Sequence, residues 1–222
     1  MLSLLFALTV TDADAGVVGK AITTSAPEFA GRDKSTIERW ELSDVAMAHI
    51  DDHREEARKQ VEDYKSQYGN GISVLVTVYN ATGEDLVYHG QKMWTGDTDR
   101  YRAPDRIKNG QWGTVLYVHP AGQMVGVNGA LVYNIGGRTS RIDYVVAGFS
   151  VPYSVLTGSN STWCRVEDND SEYSVVSWDT YQDRINDSGY LRKTWSSYAY
   201  DTTCSLAGGS SPNLEVIVER TK

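Results

Sequence analysis

The sequence predicts a mainly β protein, a sandwich or barrel of many short strands with one amphipathic helix ahead of it. Three observations carry this. From Ile72 onward, apolar residues come in runs of strand length or alternate with period two. Turn residues punctuate those runs, as at Asn80-Ala81-Thr82-Gly83, Asn109-Gly110, Asn128-Gly129 and Gly136-Gly137. β-Branched and aromatic side chains, which suit a pleated and half-buried surface, are frequent. The stretch Ile107–Tyr133 organises the rest. Its runs Thr114–Val118 and Ala130–Tyr133, with Pro120, Gly122 and Gly126 between them, read as the centre of an antiparallel sheet.

At 222 residues the chain is long enough for one β-rich domain with an N-terminal appendage. Residues 1–42 read as an extension, 43–70 as the helix and 71–222 as the β domain. Leu2–Val10 is a short apolar run, and Ala13 and Ala15 give it the small-residue ending of a secretory signal. It lacks a basic start, so both a secreted and a cytoplasmic protein remain open. No segment reaches the roughly 20 apolar residues of a spanning helix. Ser43 reads as an N-cap with Asp44 in the first turn. From Val45 to Tyr68 the residues Met47, Ile50, Ala57, Val61, Tyr64 and Tyr68 share one helical face, and Gly69-Asn70-Gly71 ends it. Acids interleave with the bases on the other face, so the helix is expected to pack on the side of the sheet rather than on a membrane.

Beyond the helix, Ile72–Tyr79, a strand from Leu86, Arg141–Ser150, Thr162–Val166, Tyr173–Trp178, Tyr198–Cys204 and Leu214–Glu219 read as strands. Val151-Pro152-Tyr153 breaks the third of these. Such a series of short strands fits a sandwich or barrel.

Enzyme signatures are sparse, and the sequence predicts no catalytic residues, no cofactor and no metal. His49 and His53 stand four apart, but Ile50 occupies the place of a zinc protease's catalytic Glu. Asp97, Asp99, Asp168 and Asp170 match no Ca²⁺ loop and read as solvated turn residues. A net charge of −8 would repel a phosphate backbone, which argues against nucleic acid. A zwitterionic or neutral surface carries no such penalty. Fourteen Tyr and six Trp against three Phe favour surfaces that are apolar in body and polar at the tip. Cys164 and Cys204 lack metal-site spacing; they form a disulfide or are two buried thiols. Asn80, Asn160, Asn169 and Asn186 each begin an Asn-x-Ser/Thr triplet, which means glycosylation only in a secreted chain.

Two resemblances cover most of Tyr64–Lys222. The segments YKSQYGNG (Tyr64–Gly71), VYNATG (Val78–Gly83) and IKNGQWGTVLYVHPAG (Ile107–Gly122) resemble the 23 kDa jasmonate-induced proteins of plants and related fungal lipid-binding proteins. The turn at Asn80–Gly83, Thr95-Gly96, Gly126–Tyr133, Phe149-Ser150-Val151-Pro152-Tyr153 and the final LEVIVERTK are similar to pieces of the actinoporins, pore-forming proteins that recognise sphingomyelin. The second resemblance implies a β-sandwich flanked by helices, and a phosphocholine pocket lined by Thr95, Ser150, Pro152 and several tyrosines. Tyr153, Tyr173, Tyr181 and Tyr190 are available for it, since an aromatic face attracts a quaternary ammonium and a phenol can bond phosphate. Asn128 falls where that pocket is apolar, and Gly158 near one of its tyrosines. The pore helix has only Leu2–Val10 as a counterpart. The resemblance thus implies a binder of zwitterionic membrane lipid, in stress or defence; a pore-forming cytolysin or a lectin-like glycan binder is the alternative.

Overall fold

Period-two alternation gives every strand two faces, and a chain that has apolar residues on both must cover the second face too. The computed structural model does so with two stacked sheets and helices on their outer sides. It describes residues 16–98, 101–136, 143–154, 158–167, 177–197 and 199–222. Leu2–Val10, Asp99, Asp168, Asn169, Asp170, Tyr173 and Tyr198 lie outside these residues.

The first sheet has the order β1-β5-β2-β11-β10-β9, with β1 Val17–Val18, β2 Ser73–Ala81, β5 Trp112–Val118, β9 Arg192–Ser197, β10 Tyr200–Leu206 and β11 Asn213–Arg220. Its neighbours are antiparallel except β2 and β11, which run parallel from Leu75↔Asn213. The second sheet has the order β4-β3-β6-β7-β8, with β3 Leu86–Thr95, β4 Arg106–Ile107, β6 Val127–Ile135, β7 Tyr144–Val151 and β8 Ser161–Glu167. Between the sheets lie Val74, Val76, Val78, Tyr117, Leu131, Tyr133, Phe149, Val216 and Val218, all but inaccessible to solvent. Cys164 of β8 and Cys204 of β10 are joined there as a disulfide that ties one sheet to the other, with Cα atoms 6.1 Å apart.

The expected β-sandwich is therefore present, with two corrections of detail. Thr114–Val118 and Ala130–Tyr133 do not sit side by side in one sheet; β5 belongs to the first and β6 to the second. Residues 119–126, with Pro120 and Gly122, carry the chain over from one sheet to the other. The segment Trp178–Asp187 is a helix, α3, and not the end of a strand.

The helix ahead of the sandwich is two helices, α1 Arg39–Ala48 and α2 Arg54–Tyr68. Ser43 is not its N-cap. It lies inside α1, buried, with its hydroxyl bonded to the carbonyl of Ala81 and accepting from the Arg220 backbone N–H at 3.1 Å. The helix starts earlier because the Glu41 carboxylate accepts from the backbone N–H of Glu38, 2.9 Å away. The break at His49–His53 lets both apolar stripes meet the sheet. Ala46 and Ala57 pack with Tyr79 and Trp112, Val61 packs with Leu75 and Leu116, and the Trp112 indole donates to the carbonyl of Ile50 at 3.3 Å. As expected, the helical region covers the side of the sheet. Both ring nitrogens of His49 face carboxylates, Asp52 at 2.7 Å and Glu28 at 2.8 Å, while His53 faces Glu56.

On the opposite outer face, α3 sets Tyr181 and Ile185 against Ala130, Val132, Val146 and Trp163 of the second sheet. Gly148 makes this approach possible, because a Cβ there would stand 2.2 Å from Cδ1 of Ile185. No described helix is long and apolar enough to cross a membrane.

Candidate uncharged head-group site

The strand registers bring four polar residues level across the second sheet. Thr95 of β3 pairs with Asn128 of β6, Asn128 with Ser150 of β7, and Ser150 with Ser161 of β8. Three of the residues singled out in the sequence, 33 and 22 positions apart along the chain, thus share one row. The Asn128 amide nitrogen donates to the Ser150 hydroxyl at 3.3 Å and to Oδ1 of Asn186, in the last turn of α3, at 3.0 Å. Ser161 donates to the carbonyl of Ile185 at 2.9 Å, which fixes the same end of α3 over the row. Oδ1 of Asn128 is buried and has no hydrogen-bond partner among the described residues. An orphaned buried acceptor is uncommon and calls for an explanation.

Pro152 follows directly on the end of β7 and is half-buried. Gly126 packs on it: a Cβ at that glycine would lie 2.2 Å from the Val151 carbonyl oxygen and 2.9 Å from Cα of Pro152. This contact seats the crossing loop 119–126 against the start of the β7–β8 connection. Tyr153 points into solvent. Tyr181 stands apart from the row, buried on α3, with its ring stacked on Trp163 at 5.7 Å and Trp178 edge-on at 6.3 Å. Burial pushes its phenol up to about 12, so it stays protonated. Tyr190 is exposed, but the Lys193 ammonium already covers its face at 4.2 Å.

The connections around the row form one end of the sandwich. Asp97 bridges to Val118, Asn160 donates to the carbonyls of Ala207 and Gly209, Thr162 N–H donates to Tyr190 and Leu206 N–H to Leu191. Segments 119–126, 152–160, 188–191 and 207–212 contain no Asp, Glu, Lys or Arg, although such residues make up 23% of the chain. The exposed large apolar side chains of the described residues gather here as well: Met124 (76% exposed), Tyr153 (42%), Tyr190 (45%) and Leu191 (46%). Asp97, two residues beyond Thr95, also lies at this end, and Asp187, Arg192 and Lys193 flank it.

The sequence reading missed Ser161 and Asn186 as members of the row, and the gathering of apolar tips. Both depend on which strands are neighbours. The lack of charge in the four connections was readable, but only the fold shows that they meet.

Of the candidate glycosylation triplets, Asn80 is structural. It is buried, its amide nitrogen donates to Glu84 and Ile107 carbonyls at 2.7 Å, and its oxygen accepts from Thr82. Asn160 spends its nitrogen on two carbonyls, whereas the Asn186 side chain is exposed.

The structure is a two-sheet sandwich with helices on both outer faces and an apolar-tipped end. The chain belongs to the Nakanori-like protein family, whose sequence model matches residues 16–221. It is 32% identical over 209 residues to the 23 kDa jasmonate-induced protein of Hordeum vulgare, covering 92% of this chain and 97% of that one. The crystal structure of the lipid binding protein Nakanori superposes with a TM-score of 0.81 at 23% identity, over 92% of this chain and all of that one. The lectin XCL of Xerocomus chrysenteron matches more loosely, with a TM-score of 0.45 at 14% identity over 67% of this chain and 97% of the lectin.

Proposed function

We propose that this chain is a peripheral membrane-lipid reader that seats its apolar-tipped end on a bilayer and holds a head group without net charge against the Thr95–Asn128–Ser150–Ser161 row. The carrying observation is the meeting of that row with Met124, Tyr153, Tyr190 and Leu191, carried by four connections that contain no Asp, Glu, Lys or Arg. Exposed apolar and aromatic tips gain free energy in the interfacial layer of a membrane, and a charge there would oppose it. Lipid binding by the structural relative Nakanori supports the reading. The net charge of −8 disfavours anionic membranes, so zwitterionic lipids fit the charge balance. Phosphocholine lipids, sphingomyelin among them, belong to that class, and Thr95, Ser150, Pro152 and Tyr153 are the positions that suggest them. A role in stress or defence follows the jasmonate-induced relative.

For α2 the reading is non-lytic. Helix α2 buries Ala57 and Val61 against the sheet, and Arg58 ties it to Glu215 of β11 at 3.1 Å. Such a helix is part of the fold and not a reserve for insertion.

Binding to supported bilayers of phosphatidylcholine, with and without sphingomyelin, at low and high salt tests this. The protein is expected to bind neutral bilayers equally at both salt concentrations. Binding only to anionic bilayers, lost as salt rises, would overturn the proposal.

A further inference from the structure

We infer that the row favours a head group that donates hydrogen bonds, a hexosyl group, over a quaternary ammonium. The inference rests on the head-group reading above and sets its specificity. Oδ1 of Asn128 is an acceptor with no partner, held at the centre of the row. Phosphocholine has nothing to give it, because trimethylammonium carries no N–H and the phosphodiester oxygens only accept. A sugar hydroxyl both donates and accepts, as the amide and hydroxyl groups of Asn128, Ser150 and Thr95 require.

The aromatic evidence points the same way. A quaternary ammonium needs open ring faces around it. Of the described tyrosines expected at the site, Tyr181 is buried against Trp163 and Tyr190 already carries Lys193 on its face. Among those described tyrosines Tyr153 remains, and one ring is no cage.

Asn186 now sits where a ligand hydroxyl would bind. Its Oδ1 accepts the Asn128 amide at 3.0 Å and its own side chain is exposed, so a rotamer change opens that amide N–H, beside the partnerless Oδ1, to a ligand hydroxyl. The last turn of α3 thus acts as the gate of the site.

Flotation with glucosylceramide-containing and sphingomyelin-containing phosphatidylcholine vesicles tests the assignment. The protein is expected to favour glucosylceramide by about tenfold, the scale of one net hydrogen bond. Asn128→Val is expected to cut that preference by a similar factor, and Asn186→Ala, which vacates the position, to strengthen glucosylceramide binding. If Asn128→Val does not fold, Asn186→Ala carries the test. Competition by soluble methyl glucoside separates the sources of the sugar: displacement assigns recognition to the sugar alone, persistence to a sugar displayed on lipid, and either supports the hexosyl chemistry. Equal or stronger binding to sphingomyelin would overturn this inference and leave the lipid-reader proposal standing. No flotation with any vesicle would overturn both.

Discussion

Asn128 and Ser150 face each other across β6 and β7, and the amide of the first donates to the hydroxyl of the second at 3.3 Å. The pair sits between Thr95 and Ser161, so removing hydroxyls from this row alters the surface of the sheet and leaves its core intact. The double variant Thr95→Val, Ser150→Ala is expected to lose roughly tenfold or more in vesicle affinity, at about 1 kcal/mol per hydrogen bond. Its melting temperature is expected to stay within a few degrees of the parent. Unchanged affinity in a correctly folded double variant would remove the row as the binding site.

The apolar tips supply a second, independent handle. Leu191→Glu or Met124→Glu places a carboxylate among the apolar tips, where full burial of the original side chain is worth about 1.5–3 kcal/mol. Each is expected to weaken bilayer binding without affecting folding, because both side chains are exposed in the free protein. Glu placed instead at Lys108, on the far end of the sandwich, should have little effect. Equal losses at both ends would argue against end-on docking.

The disulfide closes a long loop across the two sheets. Cys164 and Cys204 are 40 residues apart, and a crosslink of that span stabilises by about 4 kcal/mol in the chain-entropy account. Cys164→Ala with Cys204→Ala is expected to melt well below the parent, and reduction of the parent to produce a similar drop. Intact-mass measurement before and after alkylation checks the bond directly. Two alkylated thiols in the unreduced, unfolded protein would contradict it.

His49 gives the fold a pH dependence. Hydrogen bonds to Asp52 and then to Glu28 raise its pKa above the ordinary 6.5. A raised folded pKa means that the stabilisation is fully present below the unfolded value and is lost as pH rises through the folded one. Glu28 behaves oppositely. Its backbone hydrogen bond, and then its bond to His49, lower its pKa, so its share is present above the ordinary 4.5 and lost as pH falls through the folded value. Lys20 and His53 line the same cleft. The parent is therefore expected to melt higher near pH 6 than above pH 8, and His49→Gln to flatten that slope. A slope unchanged in the variant would assign it to other groups.

Much of this architecture was legible because its signals are local. Ile72–Tyr79, Thr114–Val118 and Leu214–Glu219 alternate or run apolar between strong turns, and β2, β5 and β11 follow them closely. The break at His49–His53 was hidden, since Met47, Ile50 and Ala57 keep a helical spacing across it; the demand of Trp112 and Tyr79 for both stripes is a tertiary matter. Trp178, Tyr181 and Ile185 do carry helical spacing, and the strand reading of Tyr173–Trp178 obscured it. Thr95, Asn128 and Ser150 were nameable from motifs. Their alignment was not, because it depends on register across three strands and on a bulge between Met93 and Thr95. Asn186 became part of the site only once α3 was placed.

The most direct test of the central claim is flotation of the protein with dye-loaded vesicles of phosphatidylcholine, sphingomyelin with cholesterol, glucosylceramide in phosphatidylcholine, and a choline-free anionic mixture. The account predicts that the protein rises with the neutral vesicles, at low and high salt alike, and that the dye stays inside. Protein that remains at the bottom of every gradient, or rises only with the anionic mixture, would contradict it.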